Sequence, residues 1–234
     1  MTRVPVCSAC LAKPQPLSAE FFCVCCRTAF LNEFPLDAEG RCGLCRRGLN
    51  GFDAAYSFGL YETELRELIH LFKYGRVQTL ARPLGRMLSS ALPREEHFDV
   101  IVPMPMHWRR RWQRGFNQAE LLANELGRRS HIPVRKAMSR VHHKRAQAGL
   151  TNAKRRLNVA GAFRVKNASV VAGKRVLLID DVMTTGATAS GCAKVLKRAG
   201  AAHVSLLTVG RVDRRIVDVD PASESNLLGS FAHA

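Results

Sequence analysis

The amino-acid sequence predicts an α/β protein, a parallel sheet with crossover helices, preceded by a small cysteine-rich module. Three observations carry this. From residue 52 onward, strand-sized apolar runs alternate with segments of helical period. The run Val176-Leu177-Leu178-Ile179 is apolar on both faces, as a central parallel strand must be. Seven of the eight cysteines fall within the first 45 residues, which sets that segment apart from the rest.

Residues 1–50 show few periodic apolar runs and form the expected metal module. Residues 52–58 predict a strand, residues 62–73 an amphipathic helix with Leu65, Leu68, Ile69 and Phe72 on one face, and residues 80–92 a second helix. A strand over 98–102 ends at Pro103 and gives way to a polar, basic loop. Helix resumes over 118–129, and residues 132–134 make a short strand. Residues 140–160, crowded with His, Lys, Arg, Asn and Gln, are expected to be a mobile cover. A strand at 176–179, a helix at 186–198 and a strand at 204–209 then follow in βαβ order, which makes the sheet parallel. The chain thus divides into the module (1–50), the α/β domain (51–212) and a charged, then small and polar tail (213–234) expected to be weakly ordered.

Thirty-six Lys and Arg against nineteen Asp and Glu give a formal charge of +17, a field attractive to nucleic acids and phosphorylated metabolites alike. The longest apolar runs are far below the roughly 20 residues that cross a bilayer, and residues 1–10 lack the apolar core of a secretion signal. No membrane insertion is expected, and the expected compartment is the cytoplasm. A reducing compartment favours metal over disulfides for the clustered cysteines.

The strand at 176–179 runs into Asp180-Asp181-Val182-Met183-Thr184-Thr185-Gly186-Ala187-Thr188. Ligands of open α/β sheets sit at such strand ends. Gly186 permits a tight turn, the following helix directs free N–H groups at it, and Thr184, Thr185 and Thr188 add hydroxyl donors, which together suit a phosphate. Asp180 and Asp181 would repel that phosphate and are better matched to a pair of ribose hydroxyls. Acid pair and phosphate cradle together describe ribose 5-phosphate.

The same string resembles the phosphoribosyl pyrophosphate signature of type I phosphoribosyltransferases. With Pro103-Met104-Pro105, Arg114-Gly115-Phe116-Asn117-Gln118 and the stretch from Arg155 to Phe163, and with the cysteine module in front, the chain resembles the ComF/GntX family of competence-related proteins from Cys7 to about Arg211. The resemblance implies a parallel sheet with helices on both faces behind a zinc ribbon. It implies that Asp180 and Asp181 hold the ribose hydroxyls and that Thr184, Thr185, Gly186, Ala187 and Thr188 hold the 5-phosphate. Pro103, Met104 and Pro105 fall in the pyrophosphate loop, with Arg114 beyond it. Family chemistry displaces pyrophosphate through an oxocarbenium-like sugar, with Mg²⁺ stabilising the leaving charge. No segment of this chain names an acceptor base.

Cys7-x-x-Cys10 and Cys23-x-x-Cys26, twelve residues apart, are expected to present four thiolates to one Zn²⁺. Cys42-x-x-Cys45 is the alternative partner pair. Finally, Trp108-Arg109-Arg110-Arg111-Trp112 interleaves indoles with guanidinium groups, a composition suited to single-stranded DNA and to small phosphates. Two readings follow: a phosphoribosyl pyrophosphate-binding protein that handles single-stranded DNA alongside DNA-uptake proteins, and a salvage transferase with an unidentified acceptor.

Overall fold

The computed structural model describes residues 4–48, 51–141 and 161–212; the side chains of Arg109, Arg110 and Arg111 fall outside it, as do the expected cover and tail. Four parallel strands make the main sheet: β3 (Ala54–Leu60), β4 (Val100–Pro103), β7 (Arg175–Met183) and β8 (His203–Arg211), in the spatial order β3-β8-β7-β4. The stretch expected as a short strand is reduced to one parallel bridge, Val134 to Ile101, on the free edge of β4.

Helices cover both faces, as βαβ connections demand. On one face α3 (Thr63–Lys73), α4 (Ala81–Ser90) and α6 (Gln118–Ser130) bury Ile69, Phe72, Leu84, Leu122 and Leu126 against Ile101, Leu177, Ile179 and Leu207. On the other, α7 (Ala187–Arg198) buries Cys192, Ala193 and Leu196 against Val102, Val176, Leu178 and Leu206. The odd and even residues of β7 thus serve different cores, the strand period read directly. Burial pushes the Cys192 thiol well up from its ordinary range, in keeping with an apolar packing role.

A hairpin of β5 (Met138–Arg140) with β6 (Phe163–Val165) joins the α7 side. It went unforeseen because its strands are three residues long and flank the polar stretch 142–160. Ahead of the sheet lie α1 (Ser8–Ala12), the hairpin β1 (Phe21–Phe22) with β2 (Ala29–Phe30), and α2 (Gly43–Arg46). Among the described residues no helix is long and apolar enough to cross a membrane.

Candidate functional site

β4 and β7 are neighbours, Val102 opposite Leu178 and Pro103 opposite Ile179, so both deliver their next residues to one end of the sheet. Met104 leaves β4 with its N–H donating to the Ile179 carbonyl (2.8 Å), while its own carbonyl accepts from Asn117 Nδ2 (3.1 Å). The Cys192 thiol lies 3.3 Å from its sulfur. Asn117 is also the cap of α6, its Oδ1 accepting from the Ala119 N–H at 3.1 Å. One asparagine therefore ties the loop after Pro103 to a helix.

β7 does not end at Ile179, where its apolar run stops. The ladder continues with Asp180 opposite Thr208, Val182 opposite Gly210 and Met183 opposite Arg211, so the two aspartates lie within the strand and the turn begins after them. Pleating puts Asp180 on the α7 face with Leu178, and Asp181 on the α3 face with Ile179. There Lys73, the last residue of α3, reaches Asp181 Oδ1 at 2.8 Å, with only 14% and 13% of the two side chains exposed. Asp180 Oδ1 accepts the Asp181 N–H at 2.9 Å. Burial, and after it the Asp181 carboxylate, pushes the Asp180 carboxyl up to about 7, with Lys73 and then Arg114 pulling the other way.

Gly186 precedes α7 with φ +73°, in the left-handed region that favours glycine. The Ala187 N–H points back to Thr185 Oγ1 at 3.4 Å, and the Ser190 N–H donates to the Gly186 carbonyl. Thr184, Gly186, Ala187 and Thr188, with Asp180 and Thr208, line a cavity of about 50 Å³. That exceeds the ~30 Å³ share of one water.

Beside it opens a cleft of about 250 Å³ that gathers Met104, Pro105, Arg114, Asp180, Asp181 and Thr188 from the expected set. Met106 and His107 join from the same loop, and Lys73, Tyr74, Asn117 and Arg140 from elsewhere. Pro103 sits one step below, paired within the sheet. A further hollow of about 340 Å³ shares Lys73, Tyr74 and Arg114 with this cleft and adds Arg76 and Gln113. The Arg114 guanidinium lies 4.9 Å from the centre of the Tyr74 ring and donates to Tyr74 Oη (3.3 Å) and Gln118 Oε1 (3.2 Å). Among the described residues no carboxylate lines this hollow.

The segment expected as a basic loop is instead largely helical: α5 runs Trp108–Arg114 and stops at Gly115, whose φ is +80°. Trp and Arg at these positions carry no helix breaker, and polarity alone hid the helix. Trp108 and Trp112, four apart on one helical face, are 52% and 82% exposed.

The cysteines regroup. Cys23, Cys26, Cys42 and Cys45 bring their sulfurs within 4.8 Å of one another. Sulfur separations of 3.6 Å (Cys23 to Cys45) and 3.7 Å (Cys26 to Cys42) match the ~3.8 Å edge of a tetrahedral tetrathiolate with metal–sulfur bonds of ~2.3 Å. Protons shared with Cys23 hold the Cys26 thiol far down and push Cys45 far up, a competition that a cation would relieve. The four can therefore hold a metal ion.

Cys7 and Cys10 stand outside this set, exposed at the start of α1, against the expectation that they share a metal with Cys23 and Cys26; the alternative set with Cys42 and Cys45 also included them. The reason is the route of the chain: Leu17 N–H donates to the Phe58 carbonyl, Lys13 pairs with Glu64, and Val4, Val6 and Leu11 pack on the α3 core. The segment is committed to the sheet edge. The cluster itself packs on the α7 face, where buried Arg211 donates to the Cys26 carbonyl (2.8 Å) and Thr28 Oγ1 (2.7 Å). Cys25 stays outside the four, its thiol directed at the Asp53 carbonyl.

Comparison with known proteins agrees with this geometry. A family model described as phosphoribosyl transferase domain matches residues 90–221. The chain is similar to "Competence protein F" of Haemophilus influenzae, 33% identical over 178 residues that cover 73% of this chain and 78% of that protein. "DNA utilization protein YhgH" of Escherichia coli K12 is 33% identical over 70% of this chain and 75% of its own length. "Competence protein ComFC" of Bacillus subtilis is 34% identical over 64% and 61%. With its parallel sheet, its acid pair at the end of β7 and these relatives, the chain belongs to the phosphoribosyl transferase family, within the ComF-like group.

Proposed function

We propose that the chain binds phosphoribosyl pyrophosphate, or another ribose 5-phosphate ligand, at the end of β7, and that it works in the handling of single-stranded DNA during uptake or utilisation. The observation that carries the first part is the junction of two largely buried carboxylates with a donor-lined turn on one strand end. In this reading Asp180 and Asp181 accept from the ribose hydroxyls. Thr184, Thr185, Gly186, Ala187 and Thr188 hold the 5-phosphate by hydroxyls and helix N–H groups. The loop through Met104 and Pro105, with Arg114, faces the pyrophosphate.

Asp181 is already ion-paired and Asp180 already accepts an N–H, so Mg²⁺ would arrive at the cleft with the ligand rather than on these two side chains. When bound there, it would neutralise leaving charge. Zn²⁺ is the metal that four thiolates at these separations suit.

Calorimetry with phosphoribosyl pyrophosphate and Mg²⁺ tests the site. Asp180→Asn and Asp181→Asn are each expected to weaken binding by about 1.5–3 kcal/mol, the worth of a charged hydrogen bond. Unchanged affinity in the double variant would refute the assignment.

The DNA part is supported by the printed names of the relatives and by the exposed indoles of α5 on a chain of charge +17. DNA-uptake proteins are the partners this implies. One observation favours a second reading, a salvage transferase: the carboxylate-free hollow of about 340 Å³ next to the ribose end leaves room for an acceptor. Release of pyrophosphate in the presence of one member of a nucleobase panel would select that reading.

A further inference from the structure

Lys73 belongs to neither the phosphate turn nor the loop after β4, yet it makes the tightest polar contact on the acid pair. It closes α3, more than a hundred residues before Asp181, and its Nζ sits 2.8 Å from Asp181 Oδ1 and 5.9 Å from the centre of the Tyr61 ring. With about six-sevenths of each side chain covered, the pair is shielded from the salt screening that weakens exposed pairs. It also stands at the boundary between the ribose cleft and the cationic hollow, lining both.

Two carboxylates on consecutive residues repel, and left alone such a pair holds on to a proton. A protonated carboxyl loses acceptor capacity toward a hydroxyl donor. Resting on the reading of Asp180 and Asp181 as ribose acceptors, we infer that Lys73 is a positioning residue of the sugar site: its ion pair fixes the Asp181 carboxylate on the cleft wall and offsets the repulsion between the two neighbours, and so lets both aspartates accept at once.

Among the described residues, the charged and titratable groups bearing on Asp180 are Asp181 on its own strand, Lys73 from α3, Arg114 from α5, Cys192 from α7, and Tyr74, His107 and Arg140 on the cleft wall. Of the two cations that lower Asp180, Lys73 has the larger effect. Its removal shifts the ionisation of Asp180 toward higher pH. That signature is one that simple loss of packing does not produce.

The test is calorimetric titration of the whole chain with phosphoribosyl pyrophosphate and, separately, with ribose 5-phosphate, from about pH 6 to about pH 9, for wild type and Lys73→Met. Both ligands are expected to weaken by a similar factor, on the order of tenfold near neutrality, with the loss shrinking as pH rises. Lys73→Arg is expected to restore both affinities. A loss confined to phosphoribosyl pyrophosphate would make Lys73 a direct pyrophosphate contact and overturn the inference, as would an equal loss at every pH or none at all. Should Lys73→Met not fold, Lys73→Gln, which keeps much of the stem and drops the charge, is read against the same outcomes. A wild-type chain that binds neither sugar would take down the ribose reading itself, a result distinct from any seen only in the variants.

Discussion

Ionising Asp180 places a charge in a half-buried strand end beside another carboxylate, and burial with Asp181 pushes the group up to about 7. A carboxyl that grips its proton harder in the folded chain than in the unfolded one stabilises the fold at low pH. That contribution is lost as pH climbs from ~4 through about 7. Asp180→Asn is therefore expected to stabilise the chain above about pH 7, on the order of 1–3 kcal/mol, and to leave it near wild type only below about pH 4. Thermal unfolding at the two pH values checks this, and an equal shift at both would assign the effect to shape rather than charge. The aspartates and threonines were legible in the sequence because they follow one apolar run without a break. Lys73 was not, since a basic residue ending an amphipathic helix is what the helix dipole favours in any protein. Tyr74 and Arg140 were hidden for a related reason: only tertiary packing brings them to the cleft.

At the scale of elements, local chemistry served well where an element is long and periodic. The helices α3, α4, α6 and α7 and the strands β3, β4, β7 and β8 all lie where apolar spacing puts them, within a few residues at each end. It failed where polarity masked structure, in α5, and where three-residue strands depend wholly on each other, in β5 and β6. The cysteine pairs show the limit most sharply: Cys-x-x-Cys spacing identifies knuckles but not which knuckles face each other. In the structure Cys23 and Cys26 lie in the turn between β1 and β2, Cys42 caps α2, and the Val24 N–H donates to the Gly40 carbonyl, which clasps the two knuckles together. One zinc per chain is expected by elemental analysis, lost in Cys42→Ser or Cys23→Ser and kept in Cys7→Ser and Cys10→Ser. Retention in Cys42→Ser with loss in Cys7→Ser would restore the pairing that spacing alone suggested.

Across the whole molecule the charge of +17 acts at a distance that no single side chain reaches. Single-stranded DNA is expected to bind without strong sequence preference, with stacking on Trp108 or Trp112 worth about 1–3 kcal/mol per base and affinity falling steeply with salt. Replacing Arg109, Arg110, Arg111 and Arg114 together should flatten that salt dependence in a filter-binding or anisotropy titration; an unchanged slope would move the nucleic-acid surface away from α5. The sheet order, by contrast, was beyond reach of the sequence, because apolar runs reveal that strands are parallel but not which ones are neighbours.

That order gives Arg211 an unusual station. It is the last residue of β8, opposite Met183, which is the last residue of β7 before Thr184, and its guanidinium is buried on the backbone of the cysteine cluster. A buried cation cannot be released from such partners cheaply. The cysteine cluster is thus a strut rather than an appendage, and loosening it would slacken the strand end from which the Thr184-to-Thr188 turn springs. On the proposed function, a chelator that takes a metal from the four thiolates would weaken ribose binding without ever touching the acid pair.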